Sequence, residues 1–219
     1  MESAEAKGYA NRYPRFPVSP AGQEAFKVNS SSKRQFGIAG GFVILMWMVF
    51  VVNAITPLDL NRYGLVPRSV HGSVGIITAP LLHQNLAHIV SNTVPLIGLL
   101  FLLAASNAHT LSTLLAIIIL GGVGLWLFGP SNTLNIGASG LVYGLIVFLM
   151  TDGIVEKKVI KIVVGFGVLL LYGGTLLMGV IPGPAGISWQ GHLFGAIAGG
   201  LVAYYGPREK RNQDKRDLE

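Results

Sequence analysis

Residues 36–55 form a run of twenty without one charged side chain. That length and character match the roughly 20 apolar residues an α-helix needs to cross the hydrocarbon of a bilayer. Five further apolar runs follow, at about 81–105, 111–128, 137–150, 159–181 and 189–205. Hydrocarbon offers no water to backbone N–H and C=O groups, so such runs fold as helices that close their own hydrogen bonds. The sequence therefore predicts an all-α, polytopic membrane protein: a six-helix bundle over residues 36–206, with polar tails at 1–35 and 207–219. The fourth run is short for a span. It is tolerable if the other helices surround it and its entrance loop lines a water-filled cavity.

Composition agrees. The chain is 51% hydrophobic and 12% charged, outside the range of ordinary soluble domains. Cysteine is absent, which removes disulfides, thiolate metal sites and a thiol nucleophile. The net charge of +6 raises the question of nucleic acid, but the distribution answers it. The sixteen Lys and Arg lie in four groups: six in residues 1–35, then Arg62 and Arg68, three at 157–161, and five at 208–216. They flank the apolar runs, and aromatic residues do not interleave with them as a single-strand binder requires. The charge is topogenic. With six spans, both tails and the 152–161 connection share one face, with fourteen basic residues against two on the other. Both termini are expected on the cytoplasmic side of a cell membrane.

Residues 1–35 contain Pro14, Pro17, Pro20 and a serine run at 30–32, with no helical periodicity, and are expected to be disordered. No apolar core lies within the first 30 residues, so no signal peptide is expected. No internal repeat is evident and no span centre carries Lys, Arg, Asp or Glu, which leaves a transporter little support.

Few polar residues enter the apolar runs. None of the ten acids sits mid-span, so paired carboxylates are missing, and so is the zinc-protease pattern HExxH. Ser139, in Gly137-Ala138-Ser139-Gly140, opens the fourth run. A helix start presents free N–H groups that can stabilise an oxyanion, and the flanking glycines allow close approach. A serine among small residues in a membrane helix is also ordinary packing glue. His192 opens the sixth run and is the candidate base. Gly191, Gly195 and Gly199 repeat at four residues, as do Gly140 and Gly144. If these stripes meet, Ser139 and His192 come within hydrogen-bonding distance, a dyad without a carboxylate. A hydrogen-bonded packing histidine is the alternative for His192. His88 and Asn92 are four apart, on one helix face, and can donate to a developing oxyanion. His83 lies five before His88 and points elsewhere or precedes the helix. Three histidines could suggest zinc, but a spacing of five does not share a face and no carboxylate completes the set, so no metal and no cofactor are expected. His71 and His109 fall at run ends and read as solvated.

Taken together, HQNLAHIVSN at 83–92, GASGLVYG at 137–144 and WQGHLFGAIAGG at 189–200 resemble the rhomboid family of intramembrane serine proteases, in the family's order. The resemblance implies Ser139 as nucleophile and His192 as base, with His88, Asn92 and the Ser139 N–H as oxyanion hole. It implies support from His83, a Tyr143 ring packed on the catalytic imidazole, and Gly137 and Gly140 shaping the entrance of the fourth helix. Transmembrane protein segments would be the substrates, cut after local unwinding, and the lipid bilayer the surroundings. The loop at 183–188 would be a flexible cap. Many family members carry a Trp-Arg pair in the first outside loop; here Arg62 to Arg68 occupies that region without one. The other readings are a catalytically silent rhomboid-like binder of transmembrane clients, which typically lacks Ser or His, and a transporter.

Overall fold

A computed structural model describes residues 30–106, 109–182 and 188–206. The rest of the two tails and most of the expected cap loop, 183–187, lie outside the described residues.

Long helices occupy all six apolar runs: α1 Ser30–Ile55, α2 Leu86–Ala105, α3 Thr110–Phe128, α4 Ser139–Glu156, α5 Val159–Gly179 and α6 Trp189–Tyr205. The first five are long and apolar enough to cross a membrane; α6 has 17 residues, one fewer than α4. The protein is a multi-pass helical membrane bundle.

α4 lies at its centre. Of its apolar window 56% is buried, against 33% or less for the other four spans. The apolar outer faces of α1 and α5 are exposed, as lipid-facing surfaces are. α4 packs most extensively on α6, then on α5. The glycine stripes do meet: a Cβ on Gly195 would overlap the Gly140 carbonyl, and one on Gly199 the Gly144 carbonyl. Backbone contact this close is open only to glycine.

α4 runs on past Met150 to Glu156, so Asp152 and Glu156 sit in its last turns rather than in a loop. Basic partners make that possible. Lys161 Nζ lies 2.7 Å from Asp152 and 3.0 Å from Glu156, and Lys158 lies 3.0 Å from Glu156. A lone carboxylate there would be costly; a paired one is tolerated. Only Lys157 and Lys158 separate α4 from α5, Lys157 with φ 56° closing the helix. At the same end of the bundle the buried Gln35 of α1 accepts the N–H of Thr110 at 3.0 Å, satisfying an orphan donor of α3.

Between α1 and α2 the chain folds into single helical turns, at Leu60–Tyr63, His71–Val74, Gly75–Thr78 and Ala79–Leu81. Arg68 anchors this segment. Its N–H reaches the Trp126 carbonyl at 3.0 Å, and its guanidinium donates to Leu127 O at 3.1 Å, Gly129 O at 2.7 Å and the Ser131 hydroxyl. Trp126 Nε1 returns a bond to Ser69 O at 2.9 Å. A cation on the last carbonyls of α3 is favourable against the helix dipole. Leu65 and Asn135 exchange backbone bonds of 2.9 and 2.8 Å, so the same segment also holds the loop that leads into α4. Replacing Arg68 by Ala should lower the thermal midpoint by about 2–4 °C, the effect of losing about 1 kcal/mol in a chain of this size. A melt of the purified protein in detergent checks this.

Candidate active site

The entrance to α4 is held from three sides. Gly137 N–H donates to Ala79 O at 2.8 Å, and Ala138 N–H to His83 Nε2 at 3.4 Å. His83 is buried in the turn before α2. Burial, then the neighbouring His88, lowers its pKa to about 4, so the ring is neutral at neutral pH, and the Ala138 N–H, which only donates, assigns the lone pair to Nε2. Gly137 has φ +113°, which disfavours any side chain, and the space beside it is taken: a Cβ there would lie 2.6 Å from His88 Nε2 and 3.8 Å from Asn92 Nδ2. His88 and Asn92 thus face the chain two residues before Ser139. Asn92 is buried and donates one amide hydrogen to His88 O at 3.0 Å, leaving the second. The His83 and His88 rings meet edge to face, with centroids 5.0 Å apart and planes at 64°.

Ser139 is the first residue of α4, and no side chain caps that end. Its hydroxyl lies 2.9 Å from His192 Nε2. His192 stands in the first turn of α6, a helix capped by Ser188, whose Oγ accepts the Gly191 N–H at 3.2 Å. The other imidazole nitrogen, Nδ1, lies 3.0 Å from the Gly179 carbonyl. A carbonyl only accepts, so Nδ1 carries the proton and Nε2 presents its lone pair to the Ser139 hydroxyl. Tyr143, one turn after Ser139, lies flat on the imidazole, with ring centroids 4.1 Å apart and planes 2° apart. The Tyr143 hydroxyl donates to Thr175 O at 2.9 Å.

All eight residues singled out from the sequence therefore gather at one end of the bundle. Gly140 sits against the Gly191 carbonyl, where a Cβ would lie 3.1 Å from the oxygen. A small, mainly apolar cavity of about 70 Å³ adjoins Ser139, lined by Ala79, Pro80, Ile117, Gly121 and Ile136. Among the described residues no group of three or more His, Cys, Asp or Glu could hold a metal ion. His71 lies in the turn His71–Val74 and His109 precedes α3, both exposed. Residues that sequence reasoning passed over are Thr175 and Gly179, which act through backbone carbonyls, and Trp126, which braces the first loop.

The Rhomboid domain family matches residues 71–209. An uncharacterized protein of Mycobacterium tuberculosis (strain ATCC 25618 / H37Rv) is 39% identical over 212 residues, covering 90% of this chain and 88% of the relative. One from Mycobacterium bovis (strain ATCC BAA-935 / AF2122/97) has the same identity and coverage. An uncharacterized protein of Mycobacterium leprae (strain TN) is 38% identical over 173 residues, 74% of this chain and 68% of the relative. No solved structure matches the chain significantly.

Proposed function

We propose that this chain, which belongs to the rhomboid family, is an intramembrane serine endopeptidase that cuts transmembrane segments of other proteins. The observation that carries the reading is the 2.9 Å contact between Ser139 Oγ and His192 Nε2, at an uncapped helix start. A substrate helix must first unwind, because a helical amide is shielded by its own hydrogen bonds. Ser139 Oγ then attacks the carbonyl carbon while its proton passes to His192 Nε2. The tetrahedral oxyanion meets the Ser139 N–H, the His88 ring and the free hydrogen of the Asn92 amide. The C–N bond breaks, and His192 returns the proton to the leaving amine. Water, deprotonated by the same imidazole, hydrolyses the acyl-serine and restores the hydroxyl.

The charge distribution supports a cell-membrane orientation with both tails cytoplasmic and the dyad towards the outer face. The small cavity beside Ser139 favours a small side chain at the cut. The presence of both dyad residues argues against the silent client-binding reading, and the uncharged span centres against a transporter.

The test is cleavage of a single-span substrate by the purified protein in liposomes, wild type against Ser139→Ala, with fluorophosphonate labelling alongside. Loss of both signals in the variant supports the protease. Wild type that neither cleaves nor labels would return the chain to client binding. Within this reading, Asn92→Ala should lower kcat about 10²-fold with little change in KM, as expected for a donor engaged in the transition state. A rise in KM with kcat little changed would instead assign Asn92 to substrate binding.

A further inference from the structure

We infer that the last turn of α5, from Thr175 to Gly179, serves as the third member of the catalytic group, with Gly179 as its positioning residue. The inference rests on the protease reading and goes beyond it. A dyad lacks the carboxylate that, in a triad, selects the histidine tautomer and stabilises the imidazolium. The protein must supply both functions by other means, or Nε2 would be protonated part of the time and unable to accept the serine proton.

Three observations on α5 meet that need. Gly179 is the final residue of the helix, so its carbonyl belongs to the last four that have no partner within the helix. That orphan acceptor lies 3.0 Å from His192 Nδ1, the atom that must keep its proton. It also stands at the negative end of the helix dipole, which favours the positive charge that appears on the imidazole when Ser139 attacks. One turn earlier, the Thr175 carbonyl takes the Tyr143 hydroxyl at 2.9 Å and so fixes the ring stacked on the imidazole. Residue 179 itself has to be glycine, because a Cβ there would overlap the Tyr143 hydroxyl. Backbone carbonyls of one helical turn thus set both the tautomer and the tilt of the base.

The same arrangement makes the base answer to α5. That helix is one of the two least buried spans, with 11% of its window covered. It packs chiefly on α4 and only slightly on α6, where His192 resides. The Gly179 carbonyl is therefore the direct hydrogen bond from α5 to the base, beside the Thr175–Tyr143 bond that holds the stacked ring, and a shift of that last turn alters the reactivity of Ser139 without moving Ser139.

A single-atom change tests this. Incorporating the α-hydroxy analogue of valine at position 180 turns the Gly179 carbonyl into an ester carbonyl, a weaker acceptor, and leaves every side chain in place. The full-length protein in liposomes should then label with fluorophosphonate about 5- to 10-fold more slowly, the factor for weakening one hydrogen bond. Substrate kcat should fall by the same factor with KM unchanged. The same ester at position 171, on the exposed side of α5, should leave both rates near wild type. Nitrogen-15 NMR of His192 should read an Nδ1-protonated ring in the wild type and a mixture of tautomers in the 180 variant. Equal labelling rates and an unchanged tautomer in the 180 variant would overturn the inference. So would equal slowing at 180 and 171, which would mark a general loss of helix integrity. Absence of labelling in the wild type would instead count against the protease reading, while the NMR comparison still decides the role of Gly179.

Discussion

His192→Ala should abolish cleavage as completely as Ser139→Ala, and the double variant should be no worse than either. Each single loss is expected on the order of 10⁴–10⁶-fold, since members of a nucleophile–base unit are grossly non-additive. The physical reason is that the serine hydroxyl is a weak nucleophile until a base takes its proton. Among the described residues the base hydrogen-bonded to Ser139 is the imidazole nitrogen at 2.9 Å, and the acids nearest in sequence, Asp152 and Glu156, lie at the far end of α4 and are paired with lysines. Rates in liposomes, compared in a double-mutant cycle, provide the check. Additive losses would mean that Ser139 and His192 act in separate steps and that another group activates the serine. Folding should survive the His192 change, because Tyr143 keeps its bond to Thr175, and matching thermal melts would demonstrate it.

Much of this site was legible because chemistry and packing point to the same residues. The glycines at 140, 144, 191, 195 and 199 repeat at the spacing that brings two helices into backbone contact, and that contact brings Ser139 to His192. The pairing of His88 with Asn92 follows from helical periodicity alone. Less legible were features that residue types do not encode. Gly179 and Thr175 contribute carbonyls, which every residue possesses, and a glycine near the end of an apolar run reads as a helix stop. The missing Trp-Arg pair hid a different solution. Arg68 is present in the loop, but the tryptophan beside it comes from α3, more than fifty residues later, a distance no local motif can bridge. The last turns of α4 are hard to read from sequence because Asp152 and Glu156 look like loop residues until Lys158 and Lys161 pair with them.

Gly195→Ala should lower cleavage at least 10²-fold and depress thermal stability, whereas Gly200→Ala, five residues on in the same helix, should leave both near wild type. The comparison isolates packing from propensity. In an α-helix alanine is preferred to glycine by about 1 kcal/mol, so propensity alone would make both changes stabilising. The surroundings differ. A Cβ at 195 overlaps the Gly140 carbonyl oxygen and lies 2.7 Å from the carbonyl carbon, a backbone group that no rotamer change can move aside. A Cβ at 200 finds its nearest neighbour, a methyl of Val147, at an ordinary 3.6 Å. Relief at 195 requires α4 and α6 to separate next to Ser139, and a misplacement of about 1 Å between reacting groups can cost about 10²-fold in rate. Cleavage assays and thermal melts on the two variants read the effect directly. If Gly195→Ala kept full activity, the close contact of the two glycine stripes would not be what sets the distance between nucleophile and base.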